Sequence, residues 1–209
     1  MRRLAAILLF TQVLFAEHEA ELVRAAETGD LKNVRRLLDA GADPGMPKSF
    51  SALHAACGAL YPEIVREMLK HGADVTAVDT AGRTALNVLG FTAALDREKY
   101  AAEIALLLID AGAKVNSQDS ILGNAPLHEV LNAAEARVLI ARGASANLRN
   151  ADGQTALMLT LDEDVTRVLL EGGADPSIRD KHGKTAFDLA KELELTEKIA
   201  VLDRFRLRP

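Results

Sequence analysis

The sequence predicts an all-α solenoid of about six helix-turn-helix repeats with short β-turn tips, on three observations: an aliphatic, aromatic-poor composition, a recurring Gly-Ala, and a second landmark in step with it. With 209 residues, 49% of them apolar, the chain can bury a substantial core. Its apolar share is almost all Ala, Leu, Val and Ile, with no Trp and only 4% aromatic residues, which suits helices packed closely on helices. Thirty acids against 25 bases leave a net charge of −5, without the basic excess of a chain that binds nucleic acid. Cys57 is the single cysteine, so no internal disulfide forms, and no Cys/His cluster has zinc-ligand spacing. No metal and no cofactor are expected.

The first element is not part of the solenoid. Arg2 and Arg3 precede an apolar stretch from Leu4 to Phe15, followed by Ala16 and the polar Glu17, His18 and Glu19. That is the layout of a signal peptide over residues 1–16 with cleavage near Ala16, which predicts a periplasmic or secreted protein. The stretch is too short to cross a bilayer, which needs roughly 17 to 25 apolar residues, so the mature chain is expected to have no membrane span. Loss of Arg2 and Arg3 takes the net charge from −5 to −7.

The repeats follow. Gly-Ala recurs at Gly41, Gly72, Gly112, Gly143 and Gly173, at intervals of 31, 40, 31 and 30. Ser51, Thr84, Ala125, Thr155 and Thr185 keep the same beat, each two residues before an apolar residue: Leu53, Leu86, Leu127, Leu157 and Phe187. Such intervals are too short for a domain and right for one supersecondary unit. Each Gly-Ala glycine follows apolar helical text and reads as the left-handed residue that ends a helix. Thr84, Thr155 and Thr185 follow Gly82, Gly153 and Gly183 and read as helix N-caps. Between the landmarks, Leu53, Ala55, Ala56 and then Ile64, Val65, Met68, Leu69 recur at helical spacing, broken at Tyr61 and Pro62. One repeat is therefore two antiparallel helices and a turn.

Ser51, Ala52, Leu53, His54, Ala55 and Ala56 resemble the ankyrin signature Thr-Pro-Leu-His-x-Ala, and Ala125, Pro126, Leu127, His128 resemble it again. Glu63 to Arg66 and Met68 to Asp74 look like the second ankyrin helix with its Gly-Ala-Asp exit. The resemblance covers residues 17–209 as an ankyrin-repeat domain, with repeats near 17–48 (N-terminal cap), 49–78, 79–118, 119–149, 150–179 and 180–209 (C-terminal cap, with Glu192, Glu194, Glu197 and Lys198 on solvent). The third repeat is seven residues longer than the second between its signature and its Gly-Ala, through an insertion that includes Phe91 and Tyr100. The fourth and fifth are three shorter, which clips the connection between their helices.

Chemistry is hard to place on this sequence. His54 and His128 fill the ankyrin histidine position, where the ring bonds neighbouring turn backbone. Cys57 reads as a buried, inert thiol. Asp79, Asp119 and Asp180 stand one per repeat, the spacing of turn caps and not of a calcium loop. With no nucleophile, base and oxyanion-donor set, no enzyme activity is expected. The resemblance instead implies contact through the turn tips and adjoining helices, the concave face of such stacks. Carried over by position, the candidate partner contacts are Val78, Thr80 and Arg83; the insertion residues Phe91 and Tyr100; Gln118, Ile121, Leu122 and Asn124; Arg149 and Gln154; and Arg179, Lys181, His182 and Lys184. Ile121 with Leu122 is an unusual apolar pair for a solvent turn. Arg149, Arg179, Lys181, His182 and Lys184 make the C-terminal tips locally basic, which predicts a protein partner with an acidic surface. The chain is expected to act as a monomer that binds or protects a partner protein. The alternatives are an inhibitor or immunity protein that blocks a toxin or enzyme, and a secreted factor acting on host proteins.

Overall fold

A computed structural model describes residues 17–45, 50–89 and 99–206. The helices are α1 (17–28), α2 (Leu31–Asp39), α3 (Ala52–Gly58), α4 (Pro62–Lys70), α5 (Ala101–Asp110), α6 (Ala133–Ala141), α7 (Ala156–Leu159), α8 (Glu163–Glu171), α9 (Ala186–Glu192) and α10 (Thr196–Arg206), with 3-10 turns at Ala85–Val88 and Pro126–His128. They stack in two rows. α3, the two 3-10 turns, α7 and α9 pack in succession along the first row, and α2, α4, α5, α6, α8 and α10 along the second. Among the described residues the only extended pairing is an antiparallel bridge between Val78 and Thr84, at the first complete tip.

The second-row helices are regular because their ends are satisfied. Asp30, Asn132 and Asp162 accept the N–H of Asn33, Glu135 and Val165 at 3.0, 3.0 and 2.8 Å, and Pro62 opens α4 where its missing N–H costs nothing. Each helix leaves through its glycine: Gly72, at φ 80°, lets the Ala73 amide turn back to the Met68 carbonyl at 3.1 Å. Leu53, Leu86, Leu127 and Leu157 stand at one level of the first row and are almost fully buried, each contributing roughly 1.5–3 kcal/mol. Fully buried Ala56, Ala105, Ala136 and Ala190 let the layers approach closely.

The two-helix repeat holds throughout, with a shortened first helix in repeats three to five. There the first helix shrinks to a single 3-10 turn, twice, and to the four residues of α7. In repeat three the Asn87 side chain turns back to the Thr84 N–H (3.1 Å), the capping box that also opens α9, so the shortening comes after a well-capped start. In repeats four and five the three missing residues come out of the first helix as well as the connection. Two buried ionisable groups then serve the exposed backbone. Glu135 Oε2 accepts the Leu131 N–H at 3.0 Å, and Lys198 Nζ donates to the carbonyls of Met158 (3.3 Å) and Thr160 (2.6 Å). Lys198, expected on solvent, is therefore only 1% exposed.

Burial raises the Glu135 carboxyl from its ordinary 4.5 to about 7, against a smaller lowering by the Leu131 N–H, and lowers the Lys198 ammonium to about 8. Because the folded pKa of Glu135 lies above its unfolded one, its contribution is complete below about pH 4.5 and is lost as pH rises through about 7. Glu135→Gln keeps an acceptor for Leu131 and removes the ionisation. Its melting temperature should match the wild type near about pH 5 and exceed it by roughly 5 °C near about pH 8.5. Equal melting temperatures at both pH values would show that the acid is not desolvated as its burial implies.

Candidate functional site

The tips are built from one recurring turn. Asp79 Oδ1 accepts the N–H groups of Ala81 (2.8 Å) and Arg83 (2.9 Å), Asn150 Oδ1 those of Asp152 (3.0 Å) and Gln154 (2.9 Å), and Asp180 Oδ1 those of His182 (2.8 Å) and Lys184 (2.9 Å). A short acceptor on the chain's own backbone is what such a turn needs, and Asn serves as well as Asp. Despite desolvation that would raise it, Asp79 is held below the usual carboxylate range by Arg83 and these amides.

One tip differs, and its difference explains its surface. From Asp119 to Asn124 it has one residue more than Asp79 to Arg83, so Asp119 Oδ1 takes the N–H groups of Ile121 (2.8 Å) and Leu122 (2.7 Å) while Oδ2 takes that of Asn124 (2.9 Å). The longer turn pushes Ile121 and Leu122 outward, to 69% and 51% exposure, beside Val78 at 49%. These are the exposed large apolar residues of the described tips.

Successive tips are bonded through backbone. The N–H groups of Ser120, Ala151 and Lys181 donate to the carbonyls of Ala81, Leu122 and Asp152 at 2.9, 2.8 and 2.9 Å. A Cβ on Gly123 would lie 2.9 Å from the Ala151 nitrogen, so only glycine allows this approach. Beneath them, Ser51 Oγ donates to His54 Nδ1 (2.8 Å) while His54 Nε2 donates to the Arg83 carbonyl (3.0 Å). The Ala125 N–H donates to His128 Nδ1 (3.1 Å) while His128 Nε2 donates to the Gln154 carbonyl (3.3 Å). Burial lowers the pKa of both rings, which favours the neutral form with both nitrogens occupied. Burial likewise pushes the Cys57 thiol far up, away from thiolate chemistry.

Thr80, Gln118, Ile121, Leu122, Arg149, Arg179, Lys181 and His182 all stand exposed on the tip row. Asn124 is corrected: it is 5% exposed, with its side-chain oxygen accepting from Asn150 (2.9 Å) and its amide turned to Glu129, because the longer turn places it below the surface. Arg83 is half-buried and spent on Asp79, at 2.6 Å. Gln154 is half-buried, and Lys184 is paired with Glu192 at 2.6 Å. Tyr100 lies away from the tips, half-buried at the start of α5 in a cleft with Tyr61 and Glu103. Phe91 and the expected export segment 1–16 lie outside the described residues. Residue patterns missed Glu135 and Lys198, yet Glu135 could have been found: it stands eight residues before Gly143, where the other repeats carry Ile64, Ile104 and Val165 before their glycines. Among the described residues no group of His, Cys, Asp or Glu side chains is placed to hold a metal ion, and no helix is long and apolar enough to cross a membrane.

Comparison with known proteins matches this geometry. A family model of ankyrin repeats in three copies matches residues 22–119 and again 91–180. The protein of Danio rerio named "Putative palmitoyltransferase ZDHHC13" is 29% identical over 140 residues, and the tyrosine-protein kinase HTK16 of Hydra vulgaris 32% identical over 114 residues. These matches take in 65% and 53% of this chain but only 21% and 14% of those proteins. Among solved structures, a chain in the complex of the predatory endopeptidase Bd0816 from Bdellovibrio bacteriovorus with the immunity protein Bd3460 superposes with a TM-score of 0.72 at 27% identity, over 88% of this chain and 96% of that one.

The division between structural and exposed tip residues predicts opposite outcomes in urea denaturation. Asn150→Ala strands the amides of Asp152 and Gln154 and should cost about 1–3 kcal/mol. Leu122→Ser should stay within about 0.5 kcal/mol of wild type.

Proposed function

The chain belongs to the ankyrin-repeat family, a protein-protein interaction fold, and from that premise we propose that it restrains another protein, an enzyme or toxin, by docking its tip row onto it. The observation that carries this reading is the likeness to a chain in an endopeptidase–immunity protein complex, which extends over nearly the whole of both chains and so covers the binding scaffold end to end. The apolar group of Val78, Ile121 and Leu122 supplies the water-excluding part of the contact, and the basic tips after it meet an acidic surface. The turns are already held by their own hydrogen bonds, so docking orders little new backbone. No covalent step belongs to this reading; inhibition is steric.

We propose further that residues 1–16 export the chain to the periplasm or beyond and are removed after Ala16, that the mature chain is a monomer, and that its partner lies in the same compartment. Mass spectrometry of the protein from the envelope fraction should give an N-terminus at Glu17; an intact Met1 chain confined to the cytoplasm would refute export.

The function itself is tested by using the chain begun at Glu17 as bait in an envelope extract and assaying the captured protein. A captured enzyme should lose most of its activity at one equivalent of the chain, and the variant Ile121→Asp with Leu122→Asp should neither capture nor inhibit it. A partner that keeps full activity when saturated would leave a binding module and remove inhibition.

A further inference from the structure

Each later repeat hands hydrogen-bonding groups to its successor, and among the described residues the tip at Asp180 to Lys184 is the last of the row. In the tip ladder, the carbonyls of Ala81, Leu122 and Asp152 accept from the next tip. The equivalent carbonyl in the final tip is that of His182, which no donor reaches among the described residues. A second series runs alongside it. The Gln118 side chain donates to the Arg149 carbonyl (3.0 Å), and Arg149 Nη2 donates to the Arg179 carbonyl (2.8 Å). Arg179 is the next donor in that series. Its guanidinium lies on its own turn, 2.6 Å from the Gly183 carbonyl, as Gln118 and Arg149 lie on theirs, and 3.9 Å from Asp188; it reaches no further tip among the described residues and remains 65% exposed.

A third series runs beside these two. Asn116 grips the next repeat with both ends of its amide, donating to the Gly143 carbonyl (3.0 Å) and accepting the Ser145 N–H (2.9 Å); Asn147 does the same with Gly173 (3.0 Å) and Asp175 (2.7 Å). The equivalent residue of the next repeat is Ser177, whose hydroxyl reaches only Asp175 within its own turn, at 2.6 Å. Thr76 makes the same within-turn bond to Asp74 (2.7 Å) in an interior repeat, so this series does not mark the end, whereas the other two leave groups unmatched by a further tip on this rim. The space above the rim is free as well. A Cβ on Gly153 would lie 3.3 Å from the Lys181 nitrogen, whereas one on Gly183 would meet nothing within 4 Å. A cavity of about 250 Å³ opens beside Arg179, lined by Pro176, Phe187 and Leu202.

We propose that this C-terminal end of the tip row is a docking surface for an extended, acidic segment of a protein partner. The segment continues both ladders: one of its backbone N–H groups donates to the His182 carbonyl, and a carboxylate or carbonyl accepts from Arg179, as the next repeat would. One apolar side chain enters the cavity against Phe187 and Leu202. Charge favours an acidic occupant. Arg179, Lys181 and His182 face outward here, while Asp180 is buried and spent on its own turn, Glu192 is paired with Lys184, and Asp188 in the cavity wall accepts the Thr185 N–H (2.9 Å) and lies 3.9 Å from Arg179. The inference rests on the protein-binding function proposed above and assigns it a specific end of the stack.

The test is a selection of random twelve-residue peptides, displayed on phage, against the chain begun at Glu17, followed by titration of the winning synthetic peptide. Winners should combine several Asp or Glu residues with one apolar residue. They should bind the Arg179→Glu, Lys181→Glu variant roughly ten-fold or more weakly, lose a similar factor on N-methylation of one peptide amide, and shift the amide resonances of Lys181 to Gly183. All substituted side chains are exposed, and circular dichroism confirms that the variants fold. Winners that bind this variant as tightly as wild type, or an empty selection, overturn the proposal. If those winners fail instead on the Ile121→Asp, Leu122→Asp variant, the protein-binding function stands and only its assignment to this end falls. A dimer of the free chain abolished by Arg179→Glu would seat a second copy here and overturn the acidic partner.

Discussion

A stack of repeats has no contacts between distant parts of its sequence, so each unit must be held to the next by bonds that recur along the chain. Here those bonds converge on the backbone carbonyls of the tips. Ala81, Leu122 and Asp152 accept from the next tip's amides, and the carbonyls of Arg83 and Gln154 receive His54 and His128 from the repeat before. None of this forms unless each tip is folded first, and that depends on one short side-chain acceptor per turn: Asp79, Asp119, Asn150 and Asp180. The exposed tip residues proposed to reach a partner are thus carried on turns whose shape is set by the chain's own hydrogen bonds.

The shortened repeats show how the stack accommodates loss of material. Where three residues fewer are present the first helix is short and leaves backbone groups of the half-buried connection without a helical partner. Repeat four meets this with a carboxyl that accepts, Glu135, and repeat five with an ammonium that donates, Lys198, taken from the last helix. Both are displaced toward neutrality by burial, one to about 7 and the other to about 8. A hydrophobic residue at either position would pack well but leave the backbone groups unmet, which costs about 1–3 kcal/mol each.

Much of this was readable in the sequence because repetition turns a single ambiguous residue into a series. Gly-Ala five times over is a helix exit, and Asp79, Asp119 and Asp180 are turn caps by the same logic. What repetition could not convey lies where one repeat departs from the rest. The extra residue between Asp119 and Asn124 changed which side chains face out: it left Ile121 and Leu122 exposed as expected and drew Asn124 inward, against expectation. Lys198 resembled a solvated lysine of an end cap because its partners, the Met158 and Thr160 carbonyls, are backbone groups some forty residues away that no residue pattern marks.

Those departures are also where binding specificity is most readily placed. A strictly regular tip row would present a similar surface at every repeat, and a partner could slide along it by one register. Among the described tips the longer one, with its apolar pair, breaks that equivalence, and the exposed Arg179 side chain and the His182 carbonyl, which reach no further tip, break it at the end. In the docking proposed above, two distinct features at fixed separation on the row would define one register and one polarity for the partner. Regular hydrogen bonding gives the row its rigidity, and its two irregularities give it direction.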